Sequence, residues 1–141
     1  MKFYCAQLFN GFMMLSIISL TFSVLGCGGQ DGPVRYRLDG SITMPDGKPA
    51  PAGEISFEPD SAAGNSGPGS MGQIKQGKYS LPTDQGVVGG KYVVTITPFD
   101  GVAFGESLQG KPLVKAPYVE KVDLPAKNGT HDFKVSNKVL L

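Results

Sequence analysis

Lys91-Tyr92-Val93-Val94-Thr95-Ile96-Thr97 is the stretch that decides the fold. It is dense in β-branched and aromatic residues, which fit a pleated, packed surface far better than a helix. Tyr92, Val94 and Ile96 fall on one face, with Val93 opposite, so the segment is expected to be a central strand covered on both sides. Gly53-Glu54-Ile55-Ser56-Phe57-Glu58 alternates in the same way, with Ile55 and Phe57 inward and the acids outward. Further strands are read at Tyr36 to Thr43, Met71 to Gln76, Tyr79 to Leu81, Val119 to Leu124 and Thr130 to Val135. No window carries sustained helical periodicity.

Between these runs lie Pro45-Asp46-Gly47, Gly77, Gly86 to Gly90 and Ala126-Lys127-Asn128-Gly129, all turn chemistry. Asn128-Gly129 is a strong hairpin signal and is expected to join the last two strands. Two connections are long: the polar loop 59–70 and the segment 99–116, in which the alternation lapses. The 20 glycines and 11 prolines, with no Trp, fit a turn-rich all-β chain. The expected architecture is a Greek-key β-sandwich of about seven strands.

Residues 1–26 form a different kind of segment. Lys2 is the only charge before Cys27, and an apolar run from Phe12 to Leu25 ends in Gly26-Cys27. Its core has the length of a signal sequence and falls short of the roughly 20 residues a spanning helix needs. Val24-Leu25-Gly26-Cys27 resembles the lipobox of bacterial lipoproteins, with Leu25 a departure from the small residue usual at that place. The reading is a signal helix over 1–26, a lipidated Cys27 with a flexible tether to residue 34, and one domain over 35–141. Ordinary signal cleavage and an uncleaved anchor are the alternatives. Lipidation would hold the domain at a cell membrane or outer membrane on the extracytoplasmic side.

Loss of Lys2 takes the 13 Lys and Arg to 12, against 12 Asp and Glu. That balance leaves no electrostatic footprint for nucleic acid. If Cys5 departs with the signal and Cys27 is acylated, no disulfide remains and the core must hold by packing.

Gly77-Lys78-Tyr79 and Gly90-Lys91-Tyr92, after Gly40-Ser41-Ile42-Thr43 and Asp46-Gly47-Lys48-Pro49, resemble the carboxypeptidase regulatory-like domain of small bacterial lipoproteins. Gly53 to Pro59 and Asn128 to Phe133 fit the same pattern, and the similarity runs from about Leu38 to Val135. The resemblance implies a transthyretin-like (prealbumin-like) sandwich that serves as an accessory or structural module, without catalytic residues or cofactor. Glycine turns and core aromatics specify a fold rather than a ligand.

Candidate sites are sparse. His131 is the only histidine, and its parity with Phe133 and Val135 places it at the rim of the core. A general base needs an oriented nucleophile beside it, and no Gly-x-Ser-x-Gly elbow is present. Calcium could take Asp60 with Asn65, or Asp100 with Glu106, although neither loop has the dense acidic spacing of a calcium loop. Asn128-Gly129-Thr130 fits a glycosylation sequon, but turn chemistry already accounts for it. Phe99, Phe104 and Tyr118 flank the long connection and mark a possible protein-contact patch. The expected function is a non-enzymatic structural or protein-interaction role at the cell envelope, with a carbohydrate- or calcium-binding lipoprotein using loops 59–70 and 99–116 as the alternative.

Overall fold

A computed structural model describes residues 32–140. The signal segment and Cys27 lie outside the described residues. Pro33–Leu141 is a unit of its own, and it is all-β and sandwich-like. Its strands are β1 (Leu38–Thr43), β2 (Ala52–Pro59), β3 (Ser70–Lys75), β4 (Lys78–Leu81), β5 (Gly90–Phe99), β6 (Tyr118–Leu124), β7 (Gly129–Thr130) and β8 (Phe133–Lys134). The pairing order is β6-β5-β2-β3-β4-β1-β7, with β8 also on β1. One continuous sheet therefore curls over its own core.

The longest ladder joins β2 to β5 antiparallel, from Ala52 opposite Phe99 to Pro59 opposite Tyr92. Its inward residues Ile55, Phe57, Tyr92, Val94 and Ile96 are completely buried, as strict two-residue alternation requires. Strand β5 is central, between β2 and β6. Its second face is only half-buried, Val93 included, so the expected cover on both sides is corrected to one. Beside that face Gln109 of the 99–116 segment donates to the outward Glu54 and Gln73 at 3.0 and 2.8 Å.

The corner of the curl is the β3–β4 hairpin. Gln76 and Gly77 both take positive φ, 50° and 74°, the geometry of a tight primed turn between Lys75 and Lys78. Past that pair the strands separate, β3 continuing on β2 and β4 on β1. Across the enclosed space Phe57 meets Tyr79 at 5.8 Å and Phe133 at 6.1 Å between ring centroids. Offset and tilted aromatic pairs at this spacing add about 0.5–1.5 kcal/mol each beyond area burial.

The closing segment departs from expectation. Strands β6 and β7 do not form a hairpin across Asn128-Gly129: β6 pairs with β5 at one edge, and β7 and β8 run parallel to β1 at the other. Asn128 instead uses its side-chain oxygen to accept the Arg37 N–H at 2.8 Å, and Gly129 donates to the Arg37 carbonyl at 3.1 Å. The Asn-Gly pair thus starts a new strand on a distant partner. Between β7 and β8 the ladder breaks at His131-Asp132. There Asp132 Oδ1 accepts both the N–H and the hydroxyl of Ser41, each at 2.7 Å, replacing the missing backbone acceptor. Gly40 is required opposite the break, because a Cβ there would overlap the His131 carbonyl and sit 2.7 Å from the Tyr79 ring.

Candidate functional site

Strand β5 sets the polarity of the domain. Its first residue, Gly90, lies at the end where the chain enters: Tyr36 bridges Val87, and Arg35 Nη1 donates to the Gly86 carbonyl at 3.1 Å. Nine residues later, about 30 Å away by strand rise, Phe99 leads into the long connection. The entry of the tether and the 99–116 segment therefore occupy opposite ends.

That segment is an ordered finger. Its neck is closed by Asp100 N–H to the Lys111 carbonyl at 2.9 Å and Gly101 N–H to the Gln109 carbonyl at 3.0 Å. Asp100 Oδ1 also accepts the N–H groups of Val102 at 2.9 Å and Lys111 at 3.0 Å. At the tip Phe104 and Ser107 exchange backbone hydrogen bonds of 3.0 and 3.1 Å around Gly105-Glu106. The resulting hairpin carries Val102, Phe104 and Leu108 outward, 66%, 62% and 87% exposed. Lys111 Nζ stands 4.2 Å from the Phe104 ring centroid, an attraction between cation and ring face. Of the three expected aromatics only Phe104 is at the tip. Phe99 and Tyr118 are half-buried, and the Tyr118 hydroxyl donates to Glu120 at 2.9 Å. Burial and then that hydrogen bond raise the Tyr118 pKa. The aliphatic members of the tip are ordinary loop residues in sequence and carry no signal of their own.

Three of the four calcium candidates are committed elsewhere. Asp60, 6% exposed, accepts from Lys121 Nζ at 2.8 Å. That bond, opposed by desolvation, lowers its pKa. Asn65 donates to the Lys91 carbonyl at 2.7 Å and the Gly89 carbonyl at 3.3 Å, pinning loop 59–70 to the start of β5. Asp100 holds the finger's neck, and Glu106 is exposed at its tip. Among the described residues no three His, Cys, Asp or Glu side chains converge as metal ligands.

His131 sits at the core rim, its ring 4.7 Å from that of Phe133. Its carbonyl accepts the Tyr79 hydroxyl at 2.7 Å. Beside it, where β3 and β4 separate, lies an open groove of about 1040 Å³ on the outer sheet face, lined by Asp39, Gln73, Lys75, Lys78 and Asp132 among others. Hydrogen bonds from Ser41, side chain first, lower the Asp132 pKa. Sequence reasoning has no signal for this groove, since strand parity gives no hint that two neighbouring strands part.

No family model, curated protein or solved structure matches this chain.

At the finger's end of the domain a second groove, of about 560 Å³, is lined by Met44, Pro45, Pro49, Pro51, Leu113 and Leu140. It is bounded by the turn after β1 and by the C-terminal segment, which Lys115 N–H holds through the Val139 carbonyl at 2.8 Å. This end thus combines an apolar projection with an apolar depression, whereas Asp60, Asn65 and Asp100 of the loops serve internal bonds. Such an arrangement suits recognition by contact. Among the described residues no helix is long and apolar enough to cross a membrane.

Proposed function

We propose that this chain is a lipid-anchored extracytoplasmic module of the carboxypeptidase regulatory-like kind, acting by protein contact at the cell envelope rather than by catalysis. The observation that carries the reading is the placement of the tether's entry and the apolar finger at opposite ends of β5. The domain then displays Val102, Phe104 and Leu108 at the end opposite the chain's entry at Tyr36. Exposed apolar clusters of this kind usually mark an interaction site, and the neck hydrogen bonds keep the finger pre-ordered, which lowers the cost of binding.

Membrane fractionation with acyl labelling tests the anchor. Cys27→Ala is expected to abolish labelling and release the domain to the soluble fraction; full membrane retention by an unlabelled variant would refute lipid anchoring. The contact role is tested by replacing Phe104 and Leu108 with Ser and comparing envelope complexes after cross-linking. Complexes unchanged in the double variant would refute the finger's part in them.

A glycan reading retains one supporting observation, the polar groove beside Asp132 on the outer face. It moves the alternative from the loops to the strands, and Asp132→Ala on a glycan array tests it: retained binding of any captured glycan would dismiss the groove.

A further inference from the structure

We propose that the gap between β3 and β4 takes the free C-terminus of another polypeptide as an inserted strand, with its carboxylate held by Lys75 and Lys78. This contact is separate from the finger and rests on other residues.

The gap is a split between two strand edges. Lys75 and Lys78 face each other across the tight turn and are the single register pair between β3 and β4. Such a turn closes with backbone bonds between its flanking residues, so the N–H and C=O of Lys75 point at β4. Backbone groups alternate sides along a strand, so those of Gln73 and Met71 point the same way. From the other side, the Gly77 carbonyl accepts the Ile42 N–H on β1 at 2.7 Å, which leaves Lys78 and Ser80 pointing at β3. No ladder joins Met71 or Gln73 to Ser80, because β3 stays on β2 and β4 stays on β1.

Two edges of backbone outside any ladder therefore line the groove of about 1040 Å³. Beneath it Leu81 is buried, and a Cβ on Gly72 would lie 3.0 Å from its Cδ2, so the core stays sealed. The Gln73 side chain is already taken by Gln109 at 2.8 Å, so what β3 offers there is backbone. Free strand edges are complemented by an extended chain, which a sugar or a small anion does not supply.

Shape and charge select the end of that chain. The bonded Lys75–Lys78 pair closes the gap at one end, so an inserted strand stops there. At the mouth stand Gln85 and the exposed Met71, an adaptable apolar contact. From Ser70 to Gln73 the open stretch is about 10 Å by strand rise, room for roughly three or four residues. The two ammonium groups at the closed end lie directly opposite, an arrangement that destabilises a sheet. Among the described residues neither forms an ion pair. The acids of the far rim are occupied: Asp39 by Arg37 at 3.2 Å and the Ser80 hydroxyl at 2.6 Å, and Asp132 by Ser41. A strand that ends beside two unpaired lysines is matched by a terminal carboxylate, through charge-assisted hydrogen bonds.

The test uses the full chain in detergent against a displayed library of random octapeptides with free C-termini. Enriched peptides are expected to bind about tenfold more weakly as C-terminal amides, tenfold corresponding to about 1.4 kcal/mol. Lys75→Gln with Lys78→Gln should weaken the free acid by a similar factor and leave acid and amide alike. Its melt should stay at or above that of the parent, because a like-charge pair is relieved. N-methylation at either of the two residues before the last should abolish binding, and hydrogen exchange at Gln73 and Ser80 should slow when peptide is added. No enriched peptide, equal binding of acid and amide, tolerance of both N-methyl groups, or unchanged exchange at Gln73 and Ser80 overturns strand insertion. Loss of peptide binding in the Phe104→Ser, Leu108→Ser chain also overturns it and assigns the peptide to the finger; retained binding there keeps the two surfaces distinct.

Discussion

Replacing Tyr79 by Phe removes one oxygen and tests how the curl is locked. Tyr79 is buried in β4, its ring packs against Phe57 and Phe133, and its hydroxyl donates to the His131 carbonyl at 2.7 Å. That bond ties β4 to the break between β7 and β8, the place where the closing segment meets the rest of the sheet. A typical hydrogen bond contributes about 0.5–1.5 kcal/mol net, and a carbonyl left without its partner costs about 1–3 kcal/mol. Half-exposure of His131 lets water compensate in part, so about 1–2 kcal/mol is expected at pH 7. For a domain of this size that lowers Tm by roughly 4–12 °C.

The same hydroxyl sets a pH signature. Burial first, then the Asp132 and Asp39 charges, push the Tyr79 pKa far above its ordinary value of 10.0. The folded group stays protonated where the unfolded one ionises. Its stabilising contribution is complete below pH 10 and falls as pH rises beyond it, by about 1.4 kcal/mol per unit. Phe has no such term, so the gap between parent and variant should shrink by about 1.4 kcal/mol at pH 11. Denaturant titration by circular dichroism at pH 7 and pH 11 measures both quantities. Equal stability at pH 7, or an undiminished gap at pH 11, would refute the reasoning.

Gly40→Ala is expected to cost more than about 3 kcal/mol or prevent folding, because its methyl overlaps the His131 carbonyl; soluble yield and Tm report this. Asp60→Asn should lower Tm at neutral pH. Since the Asp60 pKa is depressed by Lys121, the stability from that pair is present above about pH 4 and disappears as pH falls through the lower folded value. Acid melts of the variant should accordingly show a shallower decline, and an unchanged acid profile would count against the pair. Asp100→Ala removes two backbone acceptances at the finger's neck, at about 1–2 kcal/mol locally; hydrogen exchange should quicken at 100–111 while β2 and β5 keep their protection. Chelator and millimolar calcium should leave the melt unshifted, since Asp60, Asn65 and Asp100 are engaged within the protein.

The faces of β2 and β5 were legible in the residues alone, because side chains alternate across any extended backbone whatever its neighbours. So were the turn at Gly77 and the position of His131 beside Phe133. Strand pairing was not legible. Asn128-Gly129 has the chemistry of a hairpin, yet its hydrogen bonds go to Arg37, 91 residues away for the Asn128 contact. Local turn preference is a weak term against a whole edge of β1 seeking partners.

The candidate site divides in the same way. Phe104 announced itself as an aromatic in an irregular stretch, whereas Val102 and Leu108 gained meaning only when the neck bonds of Asp100 fixed them outward. Asp60 and Asn65 stayed candidates for calcium, behind the reading as solvated loop residues, because sequence shows oxygen atoms without showing which donors already hold them. By itself the sequence determined an all-β chain and which side chains face inward, both consequences of backbone periodicity. The tertiary structure alone decided which strands are neighbours, which polar groups are committed, and that the chain's entry and its apolar finger lie at opposite ends. Those depend on contacts between residues far apart in the chain, which no local pattern encodes.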